Sequence, residues 1–263
     1  TFNEGEGRVY VKDKLPTYSR AYAKSPKIDY DALVLNSETA NTENAVIDLK
    51  TNDLSMKGVR KFVVSDTHQV AIFPKGGNIL VKKNRNILFD GMINAGRFVM
   101  YVSNANFDYE QFKLTLPQID SMMFYVKSFT DLRSDAPLEL VRTPIHNLKA
   151  EILVDKPNNK SGLKKIKDYP IFNSLENSYA YYDSKNIRNG AYSRDKFYYT
   201  LNPFTIKNMM TFETDSLEFN GVLVSAGIFP DIKEPLKVQR DYSLGFIIQT
   251  PPEGLPAYGG KGQ

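Results

Sequence analysis

The feature that most constrains this chain is a phrase that it repeats. Residues 87–98 read ILFDGMINAGRF and residues 217–229 read LEFNGVLVSAGIF, so Phe-Asp-Gly and Ala-Gly return as Phe-Asn-Gly and Ala-Gly. A second pair of phrases, FKLTLPQIDSMMF at 112–124 and FYYTLNPFTIKNMMTF at 197–212, shares Phe, Thr-Leu, Pro and Met-Met. Such self-similarity is typical of an architecture built from similar units.

The spacing of these phrases predicts stacked coils. Phe112 follows Phe89 by 23 residues, and Phe219 follows Phe197 by 22 residues although the order of the two phrases is reversed. Units of this length are typical of β-solenoids, in which each coil adds short strands to parallel sheets. We therefore predict an all-β chain that forms a parallel β-helix, or solenoid, with coils of about 22–23 residues. A β-sandwich is the alternative.

The solenoid prediction assigns places to particular side chains. The four phenylalanines named above would form an internal stack, in which each lies over its counterpart in the next coil. Gly91 and Gly221 would stand at sharp corners that need a positive φ angle, which glycine adopts without strain. Residues 112–116 and 148–154 alternate between apolar and polar side chains, as expected of strands with one buried face.

We expect the 263 residues to form a single solenoid segment of a longer polypeptide. Within 1–263, the stretch 127–195 breaks the regular spacing and is expected to be irregular and rich in loops. The ending at 250–263 contains several Pro and Gly residues and is expected to be a tail or linker.

Composition excludes several classes of function. The chain has no cysteine, which excludes disulfides, thiolate metal sites and a cysteine nucleophile. Its 34 basic and 30 acidic residues give a net charge of +4, too balanced to indicate a nucleic-acid partner. No apolar run approaches the ~20 residues of a membrane-spanning helix. His68 and His146 are the only histidines and are far apart in sequence, which argues against a Ser-His-Asp triad.

Few residues suggest a metal or ligand site, and we predict no cofactor and no catalytic residue. Asp29 and Asp31 would share one face of a strand and are weak candidates for calcium, although solvated charges are the simpler interpretation. The loop at 160–167 carries four lysines (Lys160, Lys164, Lys165 and Lys167), a run that could attract an acidic polymer but is more typical of a solvated loop. Five tyrosines offer stacking faces for sugars, although alternation favours core packing: Tyr179, Tyr181, Tyr182, Tyr198 and Tyr199.

Two tripeptides suggest covalent modification. Asp120-Ser121-Met122 and Asp215-Ser216-Leu217 resemble the Asp-Ser/Thr-apolar acceptor pattern of O-glycosylation in extracytoplasmic proteins of Bacteroidota. Ser121 and Ser216 are therefore candidate O-glycosylation sites. Asn159-Lys160-Ser161 is an N-glycosylation sequon, which has meaning only in a eukaryotic secretory protein.

Several longer phrases resemble segments of large uncharacterised β-rich proteins of Bacteroidota. The phrases are SDTHQVAIFPKGGNILVKKNRNILFDGMINAGRF, DKPNNKSGLKKIKDYPIF, AYYDSKNI and SAGIFPDIKEPLKVQRDYSLGFIIQTPPEGLPAYGGKG, and together they cover most of the chain. The resemblance implies a fragment of an exported or envelope-associated protein, and hence an extracytoplasmic location. It carries over no catalytic residue.

Three functions are compatible with these observations. The first is a non-catalytic structural or binding segment whose partners are the rest of its own polypeptide and a polysaccharide or envelope protein. The second is a carbohydrate-active enzyme, a polysaccharide lyase or hydrolase, with Arg97, Tyr101 and Lys113 as candidates on one outward sheet. The third is a groove that carries lipid.

Overall fold

The computed structural model describes residues 2–3, 8–12, 32–38, 43–131, 133, 136–185 and 187–260. These residues form strands, turns and short 3-10 helices without any α-helix, so the all-β prediction is confirmed. The strands are β1 (Phe2–Asn3), β2 (Arg8–Lys12), β3 (Ala32–Asn36), β4 (Ala45–Asp48), β5 (Asp53–Met56), β6 (Phe62–Ser65), β7 (Val70–Pro74), β8 (Ile79–Val81), β9 (Ile87–Ala95), β10 (Phe98–Asp108), β11 (Lys113–Lys127), β12 (Leu138–Leu140), β13 (Ile145–Leu153), β14 (Ile171–Ser174), β15 (Ser178–Tyr181), β16 (Phe197–Leu201), β17 (Thr205–Ile206), β18 (Glu218–Phe219), β19 (Gly221–Ser225), β20 (Leu236–Val238) and β21 (Leu244–Gly245). The 3-10 helices are Lys75–Gly77, Arg188–Gly190, Thr214–Ser216 and Tyr258–Gly260.

Fifteen strands form one large sheet. Its main path runs β19-β16-β15-β13-β11-β10-β9-β8-β5-β4, and β6, β7, β12, β14 and β17 branch from it. Two small sheets, β1-β2-β3 and β18-β20-β21, complete the described strands. The stretch 127–195, expected to be irregular, contributes β12 to β15, and β13 lies in the middle of the large sheet.

The stacked-coil prediction is wrong for the described strands. Every strand pairing among them is antiparallel, whereas stacked coils pair in parallel. Phe89 lies on β9 and Phe112 in the turn between β10 and β11, so hairpins separate them. Phe197 of β16 pairs with Ser225 of β19, while Phe219 belongs to β18. The antiparallel architecture is compatible with the β-sandwich alternative.

The repeated phrase instead marks two places where a strand passes another backbone closely. A Cβ atom on Gly91 would lie 2.3 Å from the carbonyl oxygen of Phe73, and one on Gly221 would lie 1.9 Å from that of Thr200. Gly91 has the predicted positive φ of 148°, whereas Gly221 does not, so its glycine is required by lack of space alone.

Bulges bend the four long strands β9, β10, β11 and β13 at one level of the sheet. The three ladders between them are interrupted near Val102, which pairs with both Gly91 and Ile119. A bulge bends a strand and increases its twist. The bulges also separate the strands that pair with β9 and β13. The first part of β9 pairs with β8 and its last part with β7. The first part of β13 pairs with β15 and its last part with β14.

The large sheet is thereby divided into two wings. The first wing holds β6, β7, β12, β15, β16 and β19, and the second holds β4, β5, β8, β14 and β17. Each of the four long strands contributes one part to the first wing, where β10 begins and β11 ends, and the other part to the second. A chain of phenylalanine rings connects them, from Phe98 and Phe124 of the first wing (5.4 Å between centroids) through Phe219 and Phe204 (4.9 Å) to Phe172 of the second wing (5.7 Å from Phe204). The core therefore lies between the wings.

Candidate functional site

Three tyrosines form a cluster on the outward face of the first wing. Tyr179 and Tyr181 of β15 stack with centroids 5.9 Å apart and ring planes 14° apart. Tyr198 of β16 meets both edge-on, at 5.8 Å from Tyr179 and 6.5 Å from Tyr181. All three are half-buried. We call these three residues the tyrosine platform.

Strand alternation explains why these rings face outward. In the β15 sequence Ser-Tyr-Ala-Tyr, Ser178 and Ala180 point into the core and are fully buried. Residues of opposite parity therefore lie on the other face, and the pairing of Tyr181 with Tyr198 puts the neighbouring ring beside them. Tyr199, the next residue of β16, is fully buried on the inward face.

Arg194 covers one edge of the platform. Its guanidinium carbon lies 4.3 Å from the centroid of Tyr181, a cation–π contact, and its Nε donates a hydrogen bond to Asp183 Oδ2 at 2.8 Å. That hydrogen bond holds the pKa of the Asp183 carboxyl below its usual value. The hydroxyl of Ser193 similarly donates to Asp195 and lowers the pKa of its carboxyl.

The β13 strand supplies the opposite edge. The ring of His146 lies 5.4 Å from that of Tyr181, and Asn147 Nδ2 donates to the Tyr181 hydroxyl at 3.3 Å. Partial burial lowers the pKa of His146, an effect opposed by its hydrogen bond with the backbone carbonyl of Asp120. Burial raises the pKa of the Tyr181 phenol, although nearby Arg194 opposes this. At neutral pH the platform therefore presents uncharged rings beside a neutralised ion pair.

An open cavity of about 460 Å³ lies over the platform. Its lining consists of the three tyrosines with Ser193, Arg194 and Asp195. Aromatic faces bind the apolar face of a ligand, while the guanidinium, carboxylate and hydroxyl groups at the edge bind its polar substituents. A sugar ring, with apolar C–H faces and a rim of hydroxyls, has this combination of surfaces.

The candidates for an enzyme site are not brought together. Arg97 lies in the β9–β10 turn and donates through Nη1 to the carbonyl of Phe212 at 3.2 Å, while its own carbonyl accepts from the amide of Tyr125 on β11. Lys113 stands twelve residues before Tyr125 on the same strand, about 40 Å of extended chain away, and pairs with Glu151 at 3.1 Å. Tyr101 of β10 is 44% exposed and pairs with Ser121 of β11, between these two positions.

The other predicted residues lie apart from the platform or at its margin. Ser216 is exposed in a 3-10 turn, while Ser121 is half-buried in the middle of β11 and pairs with His146. Asn159 of the N-glycosylation sequon is buried, and its amide donates to Asp155 and to the carbonyl of Lys164. The calcium candidates Asp29 and Asp31 lie outside the described residues.

The lipid-groove alternative would need an open apolar channel. The inward side chains of β10 are instead packed together in the core, where Phe98, Met100 and Phe107 are fully buried.

Two parts of this site were missed by sequence reasoning. The outward direction of Tyr179 and Tyr181 could have been inferred from the small residues Ser178 and Ala180 between them, which suit the inward face. Arg194 gave no signal, since it reaches Tyr181 from the loop before β16.

Comparison with known proteins provides no independent assignment. Neither protein-family models, nor curated proteins, nor solved structures yielded a significant match to this chain. In the described part of the chain, His, Asp and Glu side chains form no group of three or more that could hold a metal ion. No helix of the described residues has the length and apolar character needed to cross a membrane.

Proposed function

We propose that this chain is a non-catalytic binding segment of a larger extracytoplasmic protein and that it holds a polysaccharide on the tyrosine platform. The observation that carries the proposal is the outward cluster of three tyrosine rings, open to a cavity of about 460 Å³ and edged by Arg194. Rings fixed on neighbouring strands bind with little loss of conformational entropy. The extracytoplasmic location rests on the resemblance of the sequence to exported proteins.

The acidic groups at the platform favour binding over catalysis. A general acid acting at neutral pH needs a raised pKa, as in glycoside hydrolysis. The pKa values of Asp183 and Asp195 are both lowered by hydrogen bonds, so these carboxylates serve as acceptors rather than proton donors.

A panel of immobilised polysaccharides tests this proposal. We expect the protein to be retained by at least one of them, and Tyr181→Ala to weaken retention by about tenfold or more, because truncating a tyrosine that anchors a binding site costs on the order of 2 kcal/mol. Tyr258→Ala is the matched control, since Tyr258 is 62% exposed but outside the platform. If no polysaccharide is retained, or if both variants behave alike, the proposal fails.

O-glycosylation of Ser121 and Ser216 remains part of the proposal for a host of that phylum. Ser216 is the more accessible acceptor, because it is exposed whereas Ser121 is half-buried in a strand. The intact mass of protein from the native host should exceed that of the bare sequence, and an equal mass would reject the modification.

A further inference from the structure

A second cavity, of about 290 Å³, lies where the β6–β7 turn meets two loops that adjoin strands of the other wing. It is more enclosed than the cavity over the platform and shares no residue with it. Its polar lining consists of His68, Lys165, Lys167, Tyr169, Asn208 and Thr211. We call it the lysine pocket. Its volume is near the lower limit of small-molecule sites, which suits a ligand the size of one sugar.

Buried hydrogen bonds hold the loop that carries the two lysines. His68 Nε2 and Asp155 Oδ2 are 2.8 Å apart, and both side chains are almost fully buried. The same carboxylate oxygen accepts from Asn159 Nδ2 at 2.7 Å, and the side-chain oxygen of Asn159 accepts from the amide of Lys164 at 3.1 Å. Thr67 Oγ1 donates to the carbonyl of Gly162 at 3.1 Å. The pocket is therefore preorganised, which reduces the entropy lost when a ligand binds.

The lining of the lysine pocket is positively charged. Lys165 and Lys167 are exposed, and neither has an ion pair with any residue that the structure describes. The lining contains no carboxylate, because Asp155 lies behind His68, where its oxygens accept three hydrogen bonds. Two unpaired ammonium groups beside a cavity favour an anionic occupant.

A hydroxyl group is also free to donate into this cavity. Asn208 Nδ2 donates to Thr211 Oγ1 at 2.6 Å, so the Thr211 hydroxyl already accepts one hydrogen bond and its own hydrogen remains available. The backbone N–H of Asn208 donates to the backbone carbonyl of Asp168 at 2.7 Å, which fixes this loop against the loop that carries the lysines. Lysine ammoniums with a neighbouring hydroxyl donor match the acceptor oxygens of a carboxylate or phosphate.

We propose that the lysine pocket binds a small oxyanion, the carboxylate or phosphate group of a ligand about as large as one sugar. Lys165 and Lys167 neutralise its charge, and the Thr211 hydroxyl donates a hydrogen bond to it. This site is separate from the tyrosine platform, and the two can be occupied independently.

Calorimetric titration with inorganic phosphate, glucuronate and glucose tests the assignment. We expect phosphate or glucuronate to bind and glucose, which has no charge, not to bind. Binding of phosphate alone would identify a phosphoryl ligand, and binding of glucuronate alone a sugar acid. Binding of neither anion, or binding of glucose as tightly as glucuronate, would overturn the proposal.

Matched variants locate the binding. The double substitution Lys165→Gln and Lys167→Gln should weaken anion binding by about tenfold, because it removes both positive charges that lie beside the cavity. Lys50→Gln, which removes one positive charge from the exposed β4–β5 turn, should leave it unchanged. Tyr181→Ala should also leave it unchanged, which separates this site from the platform. Equal binding by the double variant and the wild type would contradict the location.

Discussion

Aromatic rings cluster in two regions of this molecule at nearly the same spacing. Phe98 and Phe124 lie 5.4 Å apart in the core between the wings, and Tyr179 and Tyr181 lie 5.9 Å apart on the outer face. The phenylalanines are fully buried, whereas the tyrosines are half-buried beside an open cavity. Ring clustering is therefore common to both regions, and burial decides whether a cluster stabilises the fold or remains available to a ligand.

The largest expected difference between the two regions is in stability. Phe124→Ala should lower the free energy of unfolding by about 3–5 kcal/mol, because it removes a buried ring and leaves a cavity between the wings. Urea denaturation measures this value, and Phe229→Ala, at a ring that is 39% exposed, is the control. A loss below ~1 kcal/mol for Phe124→Ala would mean that the core does not lie between the wings.

The next effect concerns the backbone of β16, the strand that carries Tyr198 outward and Tyr199 inward. A Cβ atom on Gly221 would lie 1.9 Å from the Thr200 carbonyl oxygen and 2.5 Å from a ring carbon of Tyr199. Gly221→Ala should therefore lower the free energy of unfolding by about 2–3 kcal/mol, as overpacking does. Gly227→Ala should lower it by only ~1 kcal/mol, because Gly227 has a positive φ of 75° but no atom within 4 Å of the added carbon. Thermal unfolding of both variants compares them, and equal losses would refute this close contact.

Removing one tyrosine hydroxyl from each face of the same strand compares how much the inward and outward faces contribute to stability. Tyr199 donates to the carbonyl of Glu234 at 2.8 Å, so Tyr199→Phe should lower the free energy of unfolding by ~1 kcal/mol. Tyr198→Phe on the outward face should change it by less than ~0.5 kcal/mol. Chemical denaturation distinguishes the two, and a larger loss for Tyr198→Phe would reverse the assignment of faces.

The same inward hydroxyl, that of Tyr199, makes the free energy of unfolding depend on pH. Burial raises the pKa of Tyr199 to about 12, so in this range the folded state holds its proton more tightly than the unfolded state, whose tyrosine titrates near ~10. The contribution of this phenol to the free energy of unfolding is therefore fully present below about pH 10 and is lost as the pH rises towards 12. Urea midpoints measured across this range should fall less steeply for Tyr199→Phe than for the wild type. Identical slopes would contradict the raised pKa.

The smallest effect on stability is expected on the platform. Tyr181→Ala should change the free energy of unfolding by less than ~1 kcal/mol, because the ring stays partly solvated, although the same substitution weakens polysaccharide retention. Paired measurements of stability and retention on one preparation test this separation. A loss of stability as large as that of Phe124→Ala would make the tyrosines part of the core.

Alternation within single strands was predictable from the sequence, but strand direction was not. The alternating stretches 112–116 and 148–154 lie largely within β11 and β13. Alternation has period two in parallel and antiparallel sheets alike. The spacing of 23 residues between Phe89 and Phe112 also fits a meander, since β9 and β10 have 9 and 11 residues with short turns between them. The pattern that predicted coils therefore predicts hairpins equally well.

The site was predictable only in part for a related reason. Tyr179, Tyr181 and Tyr198 lie on two paired strands, so their outward faces follow from alternation once the small residues between them are assigned to the core. Arg194 reaches the platform from a loop, and Lys165 and Thr211 line one cavity from loops that adjoin different strands. Such contacts depend on tertiary packing, which cannot be inferred from the periodic pattern of apolar and polar residues in the sequence.

The most direct test of the account is to map where a retained polysaccharide contacts the protein. In a protein with 16 tyrosines, ¹³C labelling of the tyrosine rings gives separate NMR signals that single Tyr→Phe variants assign. On titration with an oligosaccharide of that polymer, the signals of Tyr179, Tyr181 and Tyr198 should shift most, while those of buried Tyr199 and of Tyr258, which does not line the cavity, stay in place. Shifts centred on any other tyrosines, with the platform signals unchanged, would contradict the account.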